Sequence, residues 1–146
     1  MVSACLLGNK VRYDGKGMAV ESEILKEWHR QGRIIEFCPE IASGLPIPRP
    51  PVEIINGDGN SVLAGKAQVC DCNGNRVTRN FIEGASAALS VCQQHQIRLA
   101  ILSESSPSCG SSTIYNGQFT RTKISGSGVT TALLRQNNIR VFSQHD

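Results

Sequence analysis

The chain has 146 residues, is 40% hydrophobic and 18% charged, and carries a formal net charge of +3. That length closes one core without staples, and that balance excludes a disordered chain. The charge is too small and too spread to argue for nucleic acid, with only a loose group at Arg121, Lys123 and Arg135, and no apolar run is long enough to span a bilayer.

The start, MVSACLLGNKVR, lacks the charged head and long apolar region of a secretory leader, so a cytoplasmic location and a reducing compartment are expected. Val2 to Leu7 reads as a short apolar strand running into the turn-rich GNKVRYDGKG. Ser22 to Gln31 has helical periodicity, with Ile24, Leu25 and Trp28 on one face and Gly32 closing it. Arg33 to Phe37 reads as a second, buried strand that ends at 38-CPE-40. Pro46, Pro48, Pro50 and Pro51 make 43-SGLPIPRPPVEII-55 a stiff extended connector, and 57–60 a turn follows it. Gln68–Asp71 and Arg76–Thr78 flank Asn73-Gly74-Asn75 and predict a small antiparallel hairpin. Phe81 to Gln94 is the longest helical pattern, apolar at Ile82, Ala85, Leu89 and Cys92. A buried strand at 98–102, a polar loop 103-SESSPSCGSS-112, a helix at 129–137 and a last strand at 139–142 complete the chain.

Strands alternating with helices imply right-handed βαβ units. The expected fold is α/β: a three-layer, Rossmann-like, mainly parallel sheet with helices on both faces and a small antiparallel hairpin, in one domain over 1–146. Ligands of such sheets bind outside the carboxyl ends of the strands. Cys5, Cys38 and Cys109 fall at or just past such ends, whereas Cys92 lies within a helix and Cys70 and Cys72 lie in the hairpin.

Six cysteines in a reducing compartment point to metal or catalysis before disulfides, and no CxxC is present. Three converging thiolates without an obvious fourth ligand suit an iron–sulfur cluster with one open iron. The ordinary alternative is that each thiol is a small hydrophobe, and Cys92, on an apolar helix face, fits that description best. Glu40, beside Cys38, is a candidate general acid or base, and Ser103, Ser105, Ser106 and Ser108 offer hydroxyls to a ligand or to turns. Rival readings remain open. The glycine-rich start 126-GSGVTT-131 could hold a phosphate or be a plain cap. The thiols with a histidine or Glu40 could form a structural zinc site. Cys70 and Cys72 could carry thiol redox chemistry, although their spacing strains a disulfide.

The segments 3-SACLLG-8, 13-YDG-15, 38-CPE-40 and 104-ESSPSCG-110, in that order, resemble the set that marks the DUF523 family of short thiouracil desulfurases. The match runs from Ser3 through Gly110 and into 126-GSGVTT-131. The resemblance implies a [4Fe-4S] cluster on Cys5, Cys38 and Cys109, with one iron left to take the sulfur of a thiolated base. It implies non-redox replacement of that sulfur by water, giving uracil and sulfide. It places the acidic site residue on Glu40 and a substrate-contacting serine on Ser106, with Ser105 and Ser108 as close alternatives. Gly110 is expected to let the backbone approach the cluster. The substrate is then a small thiolated pyrimidine, with no membrane partner. The sequence leaves open whether that is a base, nucleoside or nucleotide, whether the sulfur is at position 2 or 4, and how many copies assemble.

Overall fold

A computed structural model describes residues 1–146. The central sheet has four parallel strands in the order β2-β1-β5-β8, formed by β1 (Val2–Ser3), β2 (Glu36–Phe37), β5 (Leu99–Leu102) and β8 (Arg140–Ser143). Alternation along β5 sorts its side chains between two faces. Ala100 and Leu102 join Ala88 and Cys92 of helix α4 (Thr78–Gln94) and Leu134 of α5 (Val129–Gln136) in one core cluster. Ile101 faces the other way, against a cluster of Val2, Leu6 and Leu25, the last on helix α1 (Glu23–Arg30). The sheet is therefore covered on both faces, as the alternating pattern predicts.

A second layer of strands sits beside this sheet. β3 (Val52–Ile55) pairs antiparallel with β4 (Gln68–Asp71), and β6 (Thr113–Tyr115) pairs antiparallel with β7 (Lys123–Ser125). Between β3 and β4 runs the short helix α3 (Gly59–Leu63), N-capped by Asp58, whose carboxylate accepts from the N–H groups of Asn60 and Ser61. Phe81 and Ala85 of α4 pack with Ile54, Val69, Ile114 and Val129 in this layer. Phe81, Ala85, Ala88 and Cys92 form one stripe at helical spacing, so α4 joins both cores.

Several expectations change. Only Val2–Ser3 is strand at the start, because Ala4–Leu7 winds into a 3-10 turn closed by Gly8 at φ 94°. β2 is a short edge strand, and Glu36 is exposed. Ile24 is 61% exposed, so α1 buries Leu25 and leaves Ile24 in solvent. Gln68–Asp71 takes Val52–Ile55 as its strand partner, and the expected hairpin is reduced to the antiparallel bridge of Arg76 to Cys70, the Asp71 N–H on the Asn75 carbonyl and the Val77 N–H on the Val69 carbonyl, because Thr78 opens α4. The proline-rich connector ends at Pro51, and the four residues after it, free of proline, form β3.

Candidate active site

Three adjacent strands each deliver a thiol to one cavity of about 760 Å³. Cys5 lies in the 3-10 turn after β1, Cys38 directly after β2, and Cys109 in the loop after β5. Cys5 and Cys109 are buried and Cys38 is half-buried; all six cysteines are free thiols. Ser3 links the strands here: its hydroxyl donates to Cys109 Sγ at 3.7 Å and accepts the Ser103 N–H at 3.0 Å.

Burial pushes the Cys5 thiol up, against the Ser103 hydroxyl and the Arg12 cation. Burial also raises Cys38, and the N–H groups of Ile41 and Glu40 oppose it. Cys109 is raised furthest, by burial and then by the nearby Cys5, Glu40 and Cys38 charges, while the Ser3 hydroxyl works the other way. Each of these groups thus resists becoming an anion on its own, and a cationic metal partner removes that resistance. No three Cys, His, Asp or Glu side chains close on a point where a single ion could sit. A cluster needs no such convergence, since each thiolate takes a different iron. The soft donor set suits either metal, but its spread fits a cluster better than the single ion of the zinc alternative.

Cys38, Pro39 and Glu40 enter helix α2 (Pro39–Ala42), with Cys38 at the N-cap and Pro39 in the first turn, where its missing N–H costs nothing. Gly84 of α4 fixes this turn from behind: a Cβ there would meet the Pro39 carbonyl oxygen at 2.4 Å. Glu40 lines the cavity at the foot of that turn. Burial pushes its carboxyl up, opposed by the charge and hydrogen bond of Arg49. Arg49 Nη2 lies 3.4 Å from Glu40 Oε2, and the two side chains are 4% and 16% exposed. The same guanidinium donates to the carbonyls of Pro46 and Val11, and the Arg49 N–H donates to the Tyr13 carbonyl. Arg49 therefore ties the proline-rich connector and the 11–13 loop to the acidic group.

The 103–113 loop is held along both of its edges. On the carbonyl edge, N–H groups at the start of α5 donate to it: Gly128 to Gly110, Val129 to Pro107, and Thr130 to Ser108, at 2.8–2.9 Å. The Thr131 hydroxyl donates to the Cys109 carbonyl at 2.8 Å. Gly128 allows this approach, since a Cβ there would lie 2.3 Å from the Ser108 carbonyl carbon. The glycine-rich helix start is thus occupied by the loop, which removes the phosphate reading. On the N–H edge, the Glu104 carboxylate accepts from the Ser105, Ser111, Ser112 and Thr113 amides.

Within the loop, Ser106 Oγ accepts the N–H groups of Ser108 and Cys109 at 3.1 and 3.2 Å. Its own proton stays free to donate into the cavity, which Ser105 and Ser106 both line. Ser105 Oγ lies 2.9 Å from Thr113 Oγ1. Ser108 is buried and outside the cavity lining, and its Oγ has no hydrogen-bond partner within the chain. Gly110 also turns away from the cavity: a Cβ there would meet the Thr113 carbonyl oxygen at 2.4 Å, so its role is to close the loop and not to approach a cluster.

Sequence reasoning missed Ser3, Arg49 and the mouth. The mouth is lined by Tyr13, Phe119, Arg121 and Lys123, with Cys72 and His145 also at the cavity wall. Ser3 and Tyr13 stand inside quoted motifs, a signal that was available. Arg49 sits among prolines, where no periodicity shows which side chain turns inward. Cys92 packs in the core beside Met1, as a small hydrophobe.

A family model for 2-thiouracil desulfurase matches residues 1–146. A protein of Bacillus subtilis (strain 168), described only as uncharacterized protein YbbK, is 42% identical over 146 residues, covering 100% of this chain and 95% of that one. The solved structure of the [4Fe-4S]-dependent thiouracil desulfidase TudS is 46% identical, with a TM-score of 0.90, over 99% of this chain and 89% of that one. With the family's model matched from the first residue to the last, and with that desulfidase sharing both fold and nearly half its residues, this chain belongs to the 2-thiouracil desulfurase family.

Proposed function

We propose that the chain is an enzyme that removes sulfur from 2-thiouracil or a related thiolated pyrimidine, with Cys5, Cys38 and Cys109 holding a [4Fe-4S] cluster. The observation that carries this reading is the arrival of three thiols and the Glu40 carboxylate, from adjacent strand ends, at a single cavity. Family membership over the whole chain supports the reaction, and the likeness to the [4Fe-4S]-dependent desulfidase supports the cofactor. When bound, such a cluster supplies a thiophilic Lewis acid at an iron without a protein ligand.

The chain's own residues do the rest. Overall, a thiocarbonyl and water give a carbonyl and hydrogen sulfide, with no net electron transferred. Glu40 takes a proton from the attacking water and returns one to the departing sulfur or the ring. Arg49 holds Glu40 in place for both transfers. The free Ser106 proton donates to a ring acceptor and orients the base, and Ser105 supports it from the Thr113 side. Ser108 supports the loop from within the core. We place this activity in the cytoplasm, in a single domain over 1–146. No helix of the chain is long and apolar enough to cross a membrane.

The test is iron and acid-labile sulfide per chain after anaerobic reconstitution, on the wild type and on Cys109→Ser. We expect about four of each in the wild type, as a cubane requires, and their loss in the variant, together with release of uracil and sulfide from 2-thiouracil by the wild type alone. A wild type that binds no labile sulfide removes the cluster and the mechanism with it.

A further inference from the structure

Three carboxylates line the cavity, Glu40, Glu53 and Glu104, and only Glu40 has a part in the proton transfers. Glu53 accepts the N–H groups of Gly117 and Phe119, and Glu104 is the most heavily bonded of the three. Its Oε1 accepts the N–H groups of Ser105, Ser111, Ser112 and Thr113 at 2.9–3.2 Å, and the Thr113 hydroxyl at 3.3 Å. Its Oε2 accepts the hydroxyls of Ser111 and Ser112 at 2.7 and 3.1 Å. Its own N–H donates to Gln144 Oε1 at 2.9 Å, which anchors it to the chain beyond β8. Lone pairs so fully engaged are not free to accept a proton from water, so Glu104 is not a second base.

The donors come from both ends of the loop. Ser105 stands at its start, and Ser111, Ser112 and Thr113 at its finish. The carboxylate therefore closes the segment into a ring, and Ser106 and Cys109 lie within that ring. Other bonds at these residues are the Ser105–Thr113 hydroxyl pair, the Arg135 guanidinium donating to the Ser111 carbonyl and the Gly126 N–H donating to the Ser112 carbonyl. None of them reaches the amides of Ser111, Ser112 and Thr113, which only Glu104 accepts. The loop's side chains are mostly hydroxyls, and Ser105 sits at φ 65°, a conformation an L residue adopts only when its surroundings impose it. The start of α5 secures the opposite edge through carbonyls. Backbone N–H groups converging on one anion form a nest, and each such charge-assisted bond is stronger than a neutral one.

We propose that Glu104 is the positioning residue of this site: its carboxylate holds loop 105–113 in the metal-free chain so that the Cys109 thiol and the Ser106 hydroxyl already face the cavity. The proposal rests on the roles given above to Cys109 and Ser106. It makes the site assembled before any iron arrives, with Glu104 doing for the loop what a metal does in a small metal-folded domain.

The experiment is amide hydrogen exchange on the metal-free chain, for the wild type and Glu104→Gln, followed by chelator stripping of the reconstituted proteins. Expected are amides of Ser111, Ser112 and Thr113 that exchange about tenfold faster or more in the variant, with β5 and α4 unchanged. After reconstitution, iron is stripped from the variant about tenfold faster on the same reasoning. Exchange at those amides equal to the wild type overturns the proposal. So does a rise spread evenly over β5, α4 and α5, which means a general stability role. Should Glu104→Gln not fold, Ser111→Ala with Ser112→Ala removes only the Oε2 donors and decides the matter. Faster exchange at Ser105 and Thr113 then supports the ring, and unchanged exchange overturns it. A wild type that binds no iron sinks the desulfurase reading instead, and leaves the exchange result standing for the loop.

Discussion

Glu40 and Glu104 show how differently two carboxylates behave on one cavity wall. Glu40 meets one cation, Arg49, and keeps lone pairs for chemistry. Its amide, Glu40→Gln, should retain iron and sulfide while desulfuration falls by about 10²–10⁴-fold, the range for loss of a positioned acid–base group. Cluster content by absorbance and turnover of 2-thiouracil check the two halves separately. Glu104 behaves otherwise. Burial alone would raise its carboxyl, but the donors of Ser111, Thr113, Ser112 and Ser105 together outweigh it and pull it down to about 2 from an ordinary 4.5. The folded value is the lower one, so ionised Glu104 contributes stability above pH 4.5, and that contribution is lost as pH falls from there toward 2. With allowance for solvent screening it is on the order of 1 kcal/mol. Urea midpoints of the metal-free chain should therefore fall across that window, and Glu104→Gln should flatten the fall. Cys38 and Glu40 were legible together in CPE, and Cys109 in its serine-rich loop. The task of Glu104 was not, because its partners meet only after the loop has folded back on itself.

Among elements, Gly84 of α4 and Gly128, the N-cap of α5, act as close-packing points behind the thiols. Glycine in an exposed helix is ordinarily worth replacing, since alanine gains roughly 1 kcal/mol. Gly84 reverses that sign, because a methyl would lie 2.4 Å from the Pro39 carbonyl oxygen. Gly84→Ala should cost about 1–3 kcal/mol as overpacking does, and lower reconstituted iron by displacing the Cys38 turn. Thermal melts and iron analysis read the two effects. The long periodic helices were legible to within a few residues, since α4 and α5 each carry a sustained apolar stripe. The short pieces were not. β3 hid behind four prolines, β6 and β7 are only three residues each, and α2 is a single turn that begins on a proline. Such elements are fixed by the partners they pack against and carry little local pattern of their own. The strand expected over 2–7 failed for a related reason. Its residues are apolar, but after Ser3 they must turn to bring Cys5 to the sheet end.

For the molecule as a whole, the site thiols are a small part of the apolar clusters: Cys109 is one of nine buried members of one, Cys5 one of four of another, and Cys38 belongs to none. Removing the metal should therefore leave a folded chain. The stripped protein should keep its far-UV circular dichroism and a cooperative melt, at a lower Tm than the reconstituted one, as loss of a native-state ligand requires. Loss of the transition on chelation would instead mark a metal-dependent fold. The two strand systems also divide the labour. The parallel sheet supplies the thiols, and the antiparallel pair β6–β7 supplies the mouth. The tip of that pair is pinned to β3, with Glu53 accepting the N–H groups of Gly117 and Phe119 at 2.8 and 3.3 Å. Gly117 at φ 88° lies so near Ile54 that a Cβ would meet its carbonyl oxygen at 2.5 Å. A tip pinned through its backbone leaves its side chains exchangeable. Side chains at 118–122 can be replaced while Glu53 keeps the N–H groups of Gly117 and Phe119. Replacing Phe119 and Arg121, which line the cavity, should change which thiolated pyrimidines are turned over with no cysteine disturbed.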